Sequence, residues 1–205
     1  MNNKDWTGNK NSVFKTLGAS NHTDKERQNE DYYATDPIAI DVLLNEGGMK
    51  FDKNIWEVSC GELHLSNRLK EYGYNVRSSD IIDRVHNGEI ETIDFLSYNE
   101  PWNGDILTNP PFKYSLAFIS HALELIPTGN KVAMFLKLQF LEGKSRKEFF
   151  KTNPPKYLFV SSSRILCAKN ADFAGMKAGG GSAVAYGWYI WEKGFTGNTI
   201  IKWIN

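Results

Sequence analysis

Between Asn54 and Leu138, short apolar runs alternate with segments of helical period, and this restricts the chain to a sheet with helices packed on its faces. The spacing predicts strands at Asn54–Ser59, Tyr74–Ser79, Asp105–Thr108 and Lys131–Leu138. Helices are predicted at Leu65–Tyr72 and at Ser115–Leu125, where Leu116, Ile119, Leu123 and Ile126 share one face. A basic helix, Lys144–Lys151, follows, and strand-like runs at Tyr157–Ser162, Ala185–Glu192 and Thr199–Ile204 close the chain. Ahead of them, Asp36-Pro37 suits a helix start, with Asp36 as N-cap and Pro37 in the first turn, and Gly47-Gly48 suits its end. Together these predict an α/β fold, a mostly parallel sheet with helices on both faces and an antiparallel C-terminal edge.

The apolar content, 41% of 205 residues, is enough for one core, so residues 31–205 are expected to form a single domain. Residues 1–30 are polar and Asn-rich, and read as a flexible arm. No apolar run approaches the ~20 residues that span a bilayer, and Met1-Asn2-Asn3-Lys4-Asp5 lacks the apolar core of a signal peptide. Two cysteines, Cys60 and Cys167, make neither a disulfide framework nor a cysteine-rich zinc site, which suits a reducing cytoplasm. Net charge is zero, but it is divided unevenly. Residues 1–130 carry 12 basic and 20 acidic side chains, and residues 131–205 carry 12 and 4. The basic set Lys144, Arg146, Lys147 and Lys151, with Lys156, Arg164, Lys169 and Lys177 further on, is a candidate phosphate-binding face, of which Lys144, Arg146, Lys147 and Lys177 are the chosen contacts.

The strand Asp105–Thr108 ends in Asn109-Pro110-Pro111-Phe112, a tetrapeptide suited to holding a planar amine. The lone pair of such an amine is delocalised into its ring, so a catalyst must draw the nitrogen towards sp³ geometry. The Asn109 side-chain oxygen and the Pro110 carbonyl can each accept one amine proton. The two prolines fix φ and bring no competing N–H, while Phe112 offers a stacking face for an extruded base. A turn after a strand is the plainer reading of the same residues. In sheets of this kind, ligands bind beyond the carboxyl ends of the strands. Glu57-Val58-Ser59-Cys60-Gly61 follows the first strand, and Gly61 permits close approach to the backbone. Asp80 follows the second and suits a ribose diol. Asp94-Phe95 pairs an acceptor for an adenine amino group with an apolar ring.

In that order, these segments resemble the class I S-adenosylmethionine-dependent methyltransferases, and among them the small phage-type N6-adenine DNA methyltransferases. The resemblance runs from about Asn11 to Lys193 and implies a Rossmann-like seven-stranded fold. Leu17-Gly18-Ala19-Ser20-Asn21 and the segment from Asn29 to Pro37 look like the family's opening, which implies that Tyr33 and Thr35 meet the methionine part of the cofactor. Glu57, Cys60 and Gly61 fall on the cofactor loop, Asp80 on the ribose acid, Asp94 and Phe95 on the adenine contact, and Asn109, Pro110, Pro111 and Phe112 on the catalytic motif. Leu136–Gly143 and Tyr186–Lys193 are similar to later strand motifs. The loop departs from the family pattern at Val58 and Leu63, where proline and a second glycine are usual.

The resemblance implies methyl transfer from S-adenosylmethionine to adenine N6 in DNA, with no metal, and the glycine run in Phe173–Ser182 makes that segment the candidate for a mobile substrate loop, a loose surface connection being the plainer reading. Methylation of an RNA base or a protein glutamine amide uses the same tetrapeptide and remains an alternative. A non-catalytic binding protein on the same fold is the third.

Overall fold

The computed structural model describes residues 33–205. The polar arm and the opening motifs from Leu17 to Asn21 and from Asn29 to Tyr32 lie outside those residues. Eight strands form the main sheet: β2 (Asn54–Glu57), β3 (Asn75–Asp80), β4 (Glu91–Thr92), β5 (Asp105–Thr108), β6 (Lys131–Lys137), β7 (Tyr157–Ser161), β9 (Tyr186–Glu192) and β10 (Ile200–Ile204). Two further strands, β1 (Tyr33–Thr35) and β8 (Cys167–Lys169), make a separate antiparallel ladder. The main sheet runs β4-β3-β2-β5-β6-β9-β7-β10.

All its pairings are parallel except those of β9 with β6 and β7. The antiparallel strand is therefore interior, and the edge strand β10 runs parallel to β7. Residue type accounts for this difference from the expected antiparallel edge. Trp188, Tyr189, Ile190 and Trp191 are buried, so β9 needs cover on both faces and both edges, whereas Ile200, Ile201 and Trp203 of β10 are exposed. Gly187 admits β7 closely, since a Cβ there would lie 2.6 Å from the Phe159 carbonyl oxygen.

The helices are α1 (Ile38–Asp41, continued by a π turn over Val42–Glu46), α2 (His64–Glu71), α3 (Ser115–Leu125), α4 (Lys144–Thr152) and α5 (Phe173–Ala178). The helix starts at Ile38 with Pro37 as its N-cap, one residue later than expected, and the Asp36 carboxylate accepts the Ile38 N–H at 3.1 Å. Period-two alternation divides the strands between two cores. Ile55, Leu107, Ala133, Phe135 and Ile190 pack with Ile40, Leu43, Leu65 and Leu69 on the α1–α2 face. Trp56, Ile106, Val132, Met134, Tyr189 and Trp191 pack with Ile119 and Ala122 of α3 and Phe149 of α4 on the other. Burying a side chain of this size contributes about 1.5–3 kcal/mol, so both faces hold the strand ends in place. Among the described residues, no helix is long and apolar enough to cross a membrane.

Candidate functional site

The carboxyl ends of β2, β3 and β5 converge through short polar contacts. The Gly61 N–H donates to Asp80 Oδ2 at 2.9 Å and the Ile82 N–H to Asp80 Oδ1 at 3.2 Å, so the carboxylate fixes the turn after β2 to the end of β3. Each oxygen retains a lone pair for a hydroxyl donor. The Cys60 N–H donates to the Ser79 carbonyl at 3.0 Å, and Thr108 Oγ1 donates to the Ser59 carbonyl at 3.4 Å, which ties the same turn to the end of β5. Gly61 sits at φ +53° and Leu63 at φ +67°. Leu63 thus holds the left-handed backbone that a second glycine would adopt freely, and its buried side chain packs with Cys60 and Ile90.

Several expected contacts occupy other positions. Glu57 is buried, accepts a short hydrogen bond from Ser66 Oγ, and that hydroxyl lies 2.7 Å from Ser78 Oγ. Burial pushes its carboxyl up to about 8. Glu57 braces the base of the turn from inside the fold instead of facing a ligand. Cys60 is also buried, and burial raises its thiol well above the ordinary range. Phe95 is 2% exposed, edge-on to Trp56 at 5.6 Å and tilted against Phe118 at 5.1 Å. Its ring belongs to the core, because a ring on the inward side of this short turn completes the packing around Trp56. Asp94 caps that turn, accepting from the Leu96 N–H at 3.1 Å and Ser97 Oγ at 2.9 Å. The apolar surface beside Asp80 comes instead from Ile81, 64% exposed, and Ile82. Their signal was present in Asp80-Ile81-Ile82, two β-branched apolar residues directly after a strand-end acid.

Asn109 follows β5, and its Nδ2 donates to Thr35 Oγ1 at 2.9 Å, with Cys167 Sγ 3.7 Å away. The β1–β8 ladder sets Thr35 opposite Cys167. Thr35 is buried and acts on the amide of Asn109 rather than on a ligand, while Tyr33 on the same strand is exposed. No spacing in the chain announces this contact, because 74 residues separate Thr35 from Asn109. Among the described residues, neither Asn109 Oδ1 nor the Pro110 carbonyl accepts a hydrogen bond. The Pro111 carbonyl, by contrast, accepts the Tyr114 N–H at 2.9 Å. Phe112 opens a 3₁₀ turn, Phe112–Tyr114, and is 44% exposed, with Lys137 Nζ 5.0 Å from its ring centre.

The basic set divides. Lys144 and Lys147 are exposed on the first two turns of α4, and Lys177 is exposed on α5. Arg146 is not a free cation: its Nε donates to the Phe140 carbonyl at 2.7 Å, its Nη2 bonds the Glu142 carbonyl, and its guanidinium covers the Phe140 ring at 4.9 Å. The turn before α4 leaves those carbonyls unpaired, and a planar fork satisfies them. The expected substrate loop contains α5, capped by Asp172 on the Gly175 N–H at 2.8 Å, and Phe173 meets His64 edge-on at 5.5 Å.

No family model and no curated protein matches the chain. Solved structures do match in fold. A methyltransferase subunit of a type I restriction-modification system from Streptococcus thermophilus is 15% identical over 83% of this chain and 47% of its own, with a TM-score of 0.58. A Lactococcus lactis protein described as a hemolysin is 12% identical over 81% of this chain and 91% of its own, with a TM-score of 0.56. A Listeria monocytogenes protein described as a class I S-adenosylmethionine-dependent methyltransferase is 12% identical over 82% of this chain, with a TM-score of 0.50, and this chain spans 62% of it. The fold is the Rossmann-like one of the class I methyltransferases, with one strand beyond the seven expected.

Proposed function

We propose that the chain transfers a methyl group from S-adenosylmethionine to the N6 amine of adenine in DNA. The observation that carries this reading is the state of Asn109-Pro110: the amide nitrogen is engaged by Thr35, and among the described residues two carbonyl-type oxygens at one strand end have no donor. An exocyclic amine has two N–H donors and suits that pair. The residues fit the cofactor. Asp80, held by the Gly61 N–H, offers acceptor capacity for a ribose diol, and exposed Ile81 and Ile82 supply apolar cover for a purine. Bound there, S-adenosylmethionine supplies a methyl group already activated by its sulfonium. The chain's part is then to stack the base on Phe112, accept the amine protons at Asn109 Oδ1 and the Pro110 carbonyl, and so localise the nitrogen lone pair. The chain shares its fold with a restriction-modification methyltransferase subunit, and DNA is the substrate we favour by that analogy.

The test is methyl transfer from labelled cofactor to duplex DNA, RNA and glutamine-containing protein, with Asn109→Ala beside the parent. Label in adenine N6 of DNA, and a chemical step slowed by roughly 10²–10³-fold in the variant at unchanged cofactor affinity, is the expected result. Label confined to RNA or protein moves the substrate assignment, and an unslowed variant removes Asn109 from the chemistry.

A further inference from the structure

Beside the ring assigned to the target base stands a second pair of the same construction. Tyr114 is 44% exposed, like Phe112, and Lys113 Nζ lies 5.5 Å from its ring centre as Lys137 Nζ lies 5.0 Å from that of Phe112. Both rings belong to one 3₁₀ turn immediately after the catalytic prolines. With about three residues per turn, side chains two apart leave the axis roughly 120° apart, so the rings flank the turn instead of facing one another. Lys113 is the one basic residue between Arg84 and Lys131, a stretch holding six acidic residues. A lone cation in that stretch, set on an exposed ring at the catalytic motif, points to an anionic ligand there.

Each ring–ammonium pair matches one nucleotide, the ring taking the base face and the ammonium the phosphate. An exposed ammonium over a ring is weakly held, and a phosphate oxygen is the stronger partner. Resting on the reading above, we propose that Phe112-Lys137 and Tyr114-Lys113 hold two successive nucleotides of one strand, splayed apart, so that the target and its neighbour are both unstacked. A protein glutamine would use one planar group and no phosphate, and would leave the second pair idle.

The probe is a fluorescein-labelled single-stranded oligo-dA of about 20 nucleotides, titrated by anisotropy over a range of salt. Tyr114→Ala is expected to weaken binding about tenfold, as for the loss of one stacked base, with its salt slope unchanged. Tyr114→Phe is expected to bind like the parent, and Lys113→Ala to flatten the slope by about 0.7. The ring is exposed, so the variants should melt with the parent. If Tyr114→Ala binds like the parent while Phe112→Ala is weakened, the second nucleotide site is overturned and the proposed function stands. If the parent binds no strand and methylates no DNA, both fall together.

Discussion

Asn109 Nδ2 donates to Thr35 Oγ1 across 2.9 Å, so a hydroxyl on a three-residue strand decides which way the amide at the end of β5 is turned. With the nitrogen engaged, the oxygen is the group presented as an acceptor. A flipped amide would offer donors to an amine and oppose its change of geometry.

Thr35→Val keeps the shape and removes the acceptor. Single-turnover methylation is expected to slow about tenfold, the effect of one hydrogen bond of ~1.4 kcal/mol, with Thr35→Ser restoring it. In an Asn109→Ala background the same change should cost almost nothing, because the partner is gone. Equal losses in both backgrounds would show that Thr35 merely supports β1.

Leu63 carries two opposing effects. Its left-handed backbone costs about 1–2 kcal/mol, which glycine would relieve, but its buried side chain packs on Cys60 and Ile90. Removing a buried leucine costs about 2–5 kcal/mol, so Leu63→Gly is expected to destabilise the fold although glycine suits that backbone better. Urea unfolding reads the sign directly, and a raised midpoint would mean that backbone strain dominates.

The long, doubly buried elements were legible in the chain. β5 and α3 fall on the expected Asp105–Thr108 and Ser115–Leu125, since a run buried on both faces and an amphipathic period are both strong patterns. β1, β4 and β8 were not, because strands of two or three residues have no measurable period and β1 and β8 pair across 132 residues. At the site, motif order put Gly61, Asp80 and Asn109 after strands whose ends the structure brings together, but it could not orient Phe95 or Arg146. An aromatic after a strand serves a core or a ligand equally well in sequence. A basic residue in a charged run serves phosphate or carbonyl, and only the three-dimensional turn before α4 decides.

Glu57 makes stability depend on pH. Burial raises its folded value to about 8, above the unfolded 4.5, so the folded state holds the extra proton between them. For a carboxyl raised in this way, stability is full below about pH 4.5 and falls as pH rises towards 8. Burial also raises Asp105, which adds a slope of the same sign. Glu57→Gln keeps an acceptor for Ser66 and cannot ionise, so its urea midpoint should fall less between pH 5 and 8 than the parent's. Parallel curves would place Glu57 outside the titration.

The basic helix α4 yields a prediction that divides two neighbouring cations. Lys144 and Lys147 are exposed, so replacing both with Ala should flatten the slope of log affinity for duplex DNA against log salt by up to about 1.8, with the melting temperature unchanged. Arg146 spans the carbonyls of Phe140 and Glu142 and covers the Phe140 ring, so Arg146→Ala leaves the part-buried Phe140 carbonyl without this donor and uncovers the ring. That change should lower stability by about 1–3 kcal/mol. Its salt slope should stay near the parent's, because the guanidinium is already committed within the protein. Calorimetric melting and salt titration of the two variants separate these roles. If Arg146→Ala flattened the slope as much as the lysine pair and melted with the parent, its carbonyl contacts would be incidental and all three residues would belong to one phosphate-binding face.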